Sequence, residues 1–97
     1  MSVVILGGNE CMVRQYEDLC RSYSCKAKVY PKMSGGLKGF GSPDLLVLFT
    51  GTISHKMVNF AMSKVKGQNT KIARSHTSSM AALKTILNES VITRSEG

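Results

Sequence analysis

The sequence predicts an α/β fold, a three-layer sandwich in which helices cover both faces of a small, four- to five-stranded parallel sheet, flavodoxin-like or Rossmann-like. Short apolar runs alternate along the chain with segments of helical periodicity. The run LLVLF at residues 45–49 has no polar interruption, which is typical of a strand that is buried on both faces. Three of the runs end in turns rich in glycine, serine or threonine, as expected where parallel strands lead into helices.

The length of 97 residues suits one domain, which we expect to span residues 1–97 with a weakly determined tail at residues 88–97. No apolar run approaches the roughly 18 residues of a membrane span. Residues 1–7 lack the basic start and the cleavage site of a signal peptide. We therefore expect a cytoplasmic protein that has no membrane partner.

The cysteines agree with a reducing compartment. Cys11, Cys20 and Cys25 are odd in number and form no CxxC pair. This pattern predicts free thiols that serve packing, because neither a disulfide framework nor a zinc ribbon is signalled.

The net charge of +7 is spread over many elements, with no dense basic run and little aromatic interleaving. Binding to nucleic acid is therefore an open but unspecific alternative. The six carboxylates lie mostly on the first predicted helix or near the chain ends, away from both histidines in sequence. We expect no acid–base active site and no enzyme.

The first strand is predicted at Ser2–Leu6 and ends at Gly7, Gly8 and Asn9, of which Asn9 can cap the following helix. The glycine pair lacks the GxGxxG spacing, so a tight turn is favoured over a dinucleotide site. The apolar residues at helical spacing in the first helix are Met12, Val13, Tyr16, Leu19, Cys20 and Tyr23.

A second strand is predicted at residues 25–30, near an edge of the sheet because its lysines need solvent. Residues 31–43 are rich in glycine and contain both prolines, which predicts either a mobile loop or a poorly formed crossover helix around Leu37. Such a segment could act as a lid. A phosphate-binding loop is disfavoured because the GxxxxGK[ST] pattern is missing.

The stretch at residues 44–57 organises the chain: a buried central strand leads into a polar turn in which Ser54 caps the next helix and His55 opens it. That helix is expected to stop at Gly67. A fourth strand is predicted at residues 70–73, followed by a cap at Thr77 or Ser78. The apolar residues of the last helix are Met80, Ala81, Leu83, Ile86 and Leu87.

Val91 and Ile92 lie beyond that helix, and we expect them to form a short edge strand or to pack across a dimer. A homodimer is expected because the core is small and one strand edge should be exposed.

Ligands of parallel α/β sheets bind at the C-terminal ends of the strands, where residues 7–9, 50–55 and 74–79 should converge. This arrangement brings His55 and His76 to one edge. The first turn of a helix favours a neutral imidazole, which is the form that binds a metal. A structural alternative stays open, in which both histidines only cap or hydrogen-bond the helix starts.

The segments SVVILGGN, PDLLVLFTGTISHKMV and KIARSHTSSMAALKTIL resemble the bacterial DUF2325 family, and the resemblance extends over residues 1–87. The glycine-rich residues 35–41 depart from the helical, lysine-rich segment that the resemblance implies. The positions that match the family pattern are Asp44, Thr50, His55, Ser78 and Ser79, with His76 matching members that carry a second histidine.

The resemblance implies a haem-binding protein, in which the haem reversibly binds or senses oxygen or another gas. His55 would be the iron ligand and His76 a second candidate ligand. The full set of expected cofactor-binding residues is His55, His76, Thr50, Met57, Arg74, Ser78 and Met80. The alternative is a regulatory module without enzymatic activity that binds a phosphate, a nucleotide or nucleic acid at the same edge.

Haem needs an apolar slot, and its propionates need cations or helix N-termini. Lys56 and Arg74 could meet the propionates. The residues expected to line the slot are Phe49, Met57, Phe60, Met80 and Leu83.

Overall fold

The structure is a computed structural model that describes residues 2–30, 43–67 and 69–96, with side chains described as far as residue 90. The elements of these residues, in chain order, are β1 (Ser2–Leu6), α1 (Val13–Ser22), β2 (Lys26–Tyr30), β3 (Leu45–Phe49), α2 (His55–Val65), β4 (Lys71–Ser75) and α3 (Met80–Glu96). A short 3-10 helix, Glu10–Met12, precedes α1 and is capped by the side chain of Asn9.

The described strands form one parallel sheet in the order β2-β1-β3-β4. This confirms the predicted α/β class with a small parallel sheet, and it places β2 at an edge as expected. The chain moves from β1 to one side for β2 and to the other side for β3 and β4. The strand order therefore reverses between β1 and β3, which is where such sheets bind ligands.

Two apolar cores lie on opposite faces of the sheet, because successive side chains of a strand point to opposite sides. Val3 and Ile5 of β1 pack beneath α1 and α3, whereas Val4 and Leu6 pack beneath α2. All five residues of β3 are buried at 0 % exposure. The uninterrupted apolar run of β3 is thus explained by burial on both faces, which confirms the three layers.

The cap of α3 and the end of β4 differ from those predicted. Ser79, not Thr77 or Ser78, caps α3, since its hydroxyl accepts a hydrogen bond of 3.2 Å from the N–H of Ala82. Strand β4 also continues to Ser75, because the carbonyl of Ser75 accepts a hydrogen bond of 2.8 Å from Thr50 and so prolongs the pairing with β3.

Of the two alternatives predicted for Val91 and Ile92, the edge strand is wrong, because both residues lie within α3. Residues 80–96 contain neither glycine nor proline, so nothing in that segment stops a helix once it has begun. The lid or crossover helix predicted around Leu37 lies outside the described residues. No helix in the described part is both long and apolar enough to cross a lipid bilayer.

The three thiols are free, as predicted, with Cys11 exposed and Cys20 and Cys25 buried. Burial raises the pKa of Cys20 to about 12, and the neighbouring Cys25 adds to the increase. Burial also raises the pKa of Cys25. Both buried thiols are therefore protonated at neutral pH and act as small apolar side chains.

Candidate functional site

Three loops meet at the C-terminal edge of the sheet: residues 7–9 after β1, residues 50–54 after β3 and residues 76–79 after β4. The N–H of Gly8 donates a 2.7 Å hydrogen bond to the hydroxyl of Thr52, which joins the first loop to the second. The N–H of Thr50 donates at 2.8 Å to the carbonyl of Ser75, the last residue of β4, which joins the second loop to the start of the third. The edge is therefore one connected structure.

The first loop requires its two glycines. Gly7 and Gly8 have φ angles of +90° and +94°, a region that other residues rarely adopt. A Cβ on Gly7 would lie 2.7 Å from atoms of Thr52 and Ile53, and a Cβ on Gly8 would lie 2.8 Å from the ring of Tyr16. Backbone conformation and close packing thus both exclude a side chain at these two positions.

The backbone N–H groups of the first loop are already used within the protein. Gly7 donates to the carbonyl of Tyr30 at 2.9 Å, Gly8 donates to Thr52, and Asn9 donates to the hydroxyl of Tyr16 at 3.1 Å. None of these three N–H groups is available to a pyrophosphate. The geometry agrees with a tight turn rather than a dinucleotide site.

Tyr16 connects the first helix to the third loop, a role that the sequence analysis missed. Its side chain is fully buried, its ring lies 5.6 Å from that of Phe49, and its hydroxyl donates a 2.6 Å hydrogen bond to the carbonyl of Ser78. The same hydroxyl accepts from Asn9. The available signal was a tyrosine on the buried stripe of a helix, because a buried hydroxyl usually has a hydrogen-bond partner.

His55 opens α2 but does not cap it. The cap is Ser54, as predicted, whose hydroxyl accepts a 3.2 Å hydrogen bond from the N–H of Met57. The side chain of His55 is exposed and forms no hydrogen bond within the described residues. The imidazole of His55 thus has no structural role in this part of the chain.

His76 lies in the third loop, beside the loop that leads to His55. A Cβ on Gly51 would overlap the carbonyl oxygen of His76 and come within 3.3 Å of its imidazole. The residue is exposed, and its ring has no hydrogen-bond partner among the residues described. With Ser79 capping α3, the alternative in which the histidines cap or hydrogen-bond the helix starts is not what the structure shows.

The other predicted site residues divide into two groups. Thr50 and Ser78 are half-buried in the loops at the edge, and Arg74 is exposed near the end of β4. Met57, at 3 % exposure, lies in the core beneath α2. Met80 is half-buried against the core beneath α1 and α3. The structure therefore brings the polar members to the edge and directs the methionines towards opposite cores.

A family model described as "Uncharacterized protein conserved in bacteria (DUF2325)" matches residues 2–90. The chain belongs to the DUF2325 family. All three loops of the edge and both histidines lie within the matched residues. No curated protein and no solved structure matches the chain.

Asp44, which matches the DUF2325 pattern, lies at the opposite end of the sheet from the histidines. Its carboxylate accepts a 2.8 Å hydrogen bond from the N–H of Ser2, and its carbonyl accepts from Lys71 at 3.0 Å. These bonds hold the starts of β1, β3 and β4 together. Asp44 therefore has a structural explanation that requires no ligand.

The residues of this DUF2325 chain fit haem in part. His55 offers an exposed imidazole, and the exposed Lys56 and Arg74 offer cations for propionates. The expected walls do not fit, because Phe49 and Leu83 are buried in the core beneath α1 and α3, whereas Met57 is buried on the other face.

The described residues offer few ways to bind a metal ion. They contain no group of three or more histidine, cysteine, aspartate or glutamate side chains that could bind a metal ion. A porphyrin supplies four ligands itself and needs only axial ligands from the protein. The edge carries the exposed imidazoles of His55 and His76, but its described residues form no closed apolar slot within one copy.

Proposed function

We propose that this DUF2325 protein binds haem at the C-terminal edge of its sheet, with His55 as an axial ligand of the iron. The observation that carries the proposal is the exposed imidazole of His55, which opens α2 while Ser54 provides the cap. An exposed histidine that forms no hydrogen bond among the described residues is available to a ligand. Its place at the strand-order reversal is also where this class of sheet binds ligands.

His76 is proposed as the distal-side partner. Its loop lies against Gly51, a residue of the loop that leads to His55. From there the imidazole could bind the iron as a second ligand or donate a hydrogen bond to a molecule on the iron. Haem would supply the iron that binds oxygen or another gas. The protein would then carry or sense that gas.

Cations and backbone N–H groups complete the proposed site. Arg74 and Lys56 are exposed and can meet the two propionates. The N–H groups of His55 and Lys56 belong to the first turn of α2 and have no acceptor among the described residues. We further propose that the protein acts as a homodimer, because a sheet of four described strands leaves edges open.

The same N–H groups favour a second candidate, a non-enzymatic module that binds a phosphate or nucleotide. Helix N-termini bind anions, and α2 and α3 both begin at this edge. The first loop cannot take part, since its N–H groups are used internally. An anion would therefore bind between the loops after β3 and β4.

The test is a hemin titration of the untagged protein, because a polyhistidine tag binds haem by itself. Wild type should develop an intense absorption band in the blue-violet at one haem per chain. His55→Ala should abolish retention of haem on a desalting column. His76→Ala is the matched control, an exposed histidine of the neighbouring loop, and should retain haem while its gas-binding kinetics or oxidation rate change.

Two outcomes would contradict the proposal in different ways. Full haem retention with an unchanged spectrum in His55→Ala would show that another residue binds the iron. A wild-type protein that takes up no haem, but releases heat on titration with inorganic phosphate or a nucleotide, would support the second candidate.

A further inference from the structure

Strand β4 leaves one side of its backbone without a partner in the described sheet. The N–H of Lys71 donates to the carbonyl of Asp44 at 3.0 Å, and the carbonyl of Ser75 accepts from Thr50 at 2.8 Å. Residues of a parallel strand alternate in the side to which their N–H and C=O groups point. The N–H and C=O groups of residues 71, 73 and 75 therefore point towards β3, and those of residues 72 and 74 point away from the sheet.

We propose that two copies of the chain pair through β4, antiparallel and centred on Ala73, to form one continuous eight-stranded sheet from two four-stranded ones. The outward N–H and C=O groups of Ile72 and Arg74 would then be satisfied by the same residues of the partner. This inference does not depend on haem, because the pairing is made by backbone groups of β4.

The proposed register opposes no like charges. Ala73 lies opposite the partner's Ala73, Ile72 lies opposite the partner's Arg74, and Lys71 lies opposite the partner's Ser75. Directly opposite side chains interact most strongly, and like charges there are destabilising. The sequence KIARS is thus compatible with itself when it is read in the antiparallel direction.

The other edge strand, β2, would place like charges opposite each other if it paired with a second copy. Gly7 donates to the carbonyl of Tyr30, so the backbone N–H and C=O groups of residues 26, 28 and 30 point towards β1. The backbone groups of Ala27 and Val29 therefore point away from the sheet. Antiparallel pairing of KAKVY with itself would place Lys28 directly opposite the partner's Lys28. Charged edges of this kind prevent pairing between molecules, so β4 is the edge suited to a second copy.

The surface beside β4 also suits the partner's side chain. Ile72 lines a groove of about 480 Å³ between β4 and α2, whose other lining residues include the apolar Met62 and Val65 and the basic Lys66. Opposite residues of an antiparallel pair lie on the same face of the sheet. The methylene groups of the partner's Arg74 would therefore lie against Ile72, beside this partly apolar groove.

The first test measures the mass of the full chain by light scattering at about 0.15 M salt, where the Debye length of about 8 Å limits repulsion between the copies. Arg74→Pro removes an outward N–H without removing a bond to β3, and it should convert the dimer to a monomer with unchanged circular dichroism. The matched control is Ala27→Pro, which removes an outward N–H of β2 and should remain dimeric.

The second test introduces a cysteine at the centre of the proposed pair, in a Cys11→Ser background that removes the exposed thiol. Ala73→Cys should form a covalent dimer under mild oxidation, because Cα atoms of such a pair lie about 4.5 Å apart, within disulfide range. Lys28→Cys, at the centre of β2, should stay uncrosslinked.

The proposal is overturned if the wild type is monomeric at tens of micromolar protein. It is equally overturned if a dimer persists in Arg74→Pro and Ala73→Cys does not crosslink, since the copies would then meet through another surface.

Discussion

The N–H of Gly8 donates a 2.7 Å hydrogen bond to the hydroxyl of Thr52, and this hydroxyl donates in turn to the carbonyl of Phe49 at 3.1 Å. One side chain thus holds the loop after β1 against the loop after β3. These are the loops at the point where the strand order reverses. The stability of the candidate site should therefore depend on this hydroxyl.

Thr52→Val should lower the free energy of unfolding by about 1–2 kcal/mol, because it leaves the part-buried N–H of Gly8 without an acceptor. Urea denaturation followed by circular dichroism measures the change. Thr52→Ser keeps the hydroxyl and should lose less than half as much. Equal losses in the two variants would show that the methyl group, and not the hydrogen bond, matters.

Tyr16→Phe should cost about 1–3 kcal/mol, since the hydroxyl that is removed both donates to Ser78 and accepts from Asn9. Tyr23→Phe is the comparison. Its hydroxyl bonds to the side chain of Asn88 at a half-buried position where water can replace it, so the loss should be smaller. Hydrogen exchange should also accelerate at the amide of Asn9 in the first variant only.

The pattern of the sequence was sufficient for most of the fold. The apolar runs of β1 and β3, the lysines of β2 and the cap at Ser54 are local signals, and each gave the correct element. Local signals could not choose among Thr77, Ser78 and Ser79, because all three residues are acceptable caps. Local signals also did not show where α3 ends, because no glycine or proline follows Leu87 within the helix.

The candidate site was predictable only in part, for a physical reason. His76 directly follows β4, and His55 opens the helix that follows β3, so their placement at one edge follows from a parallel sheet. The contacts of the edge join residues that are far apart in sequence, such as Tyr16 with Ser78, and no local pattern encodes them. The side chains expected to line one haem slot do not lie together, since Met57 and Leu83 pack on opposite faces of the sheet. Helical spacing predicts that each of them is buried, but it does not predict on which face.

The buried thiol of Cys20 should make the protein less stable in alkali. Its pKa in the folded protein is about 12, above the ordinary value of 9.0. The unfolded thiol therefore loses its proton first, and the contribution of Cys20 is fully present below pH 9.0 and is lost as the pH rises towards 12.

Urea denaturation at pH 7 and about pH 10 measures this effect as the difference between variants. The loss of stability over this interval should be smaller in Cys20→Ala than in the wild type, because alanine has no proton to lose. Cys11→Ser, which changes an exposed thiol, should follow the wild type. An identical loss in all three proteins would show that other groups set the alkaline limit.

Gly51→Ala should displace the loop that carries His76. The added Cβ would overlap the carbonyl oxygen of His76, and a backbone atom cannot rotate away as the end of a side chain can. The Thr50–Ser75 hydrogen bond holds the ends of β3 and β4 together, so the shift should be concentrated in residues 76–79. Amide chemical shifts of those residues should move, while those of β1 stay in place.

The matched control is Gly67→Ala. Its Cβ would meet nothing within 4 Å, but its φ of +85° makes alanine strained, at a cost of about 1–2 kcal/mol. That variant should lose stability without any change at the edge. In the presence of hemin, Gly51→Ala should retain haem through His55 and alter the oxidation rate in the direction of His76→Ala. If instead the oxidation rate matches the wild type while the amides of residues 76–79 have moved, His76 does not contact what the iron holds.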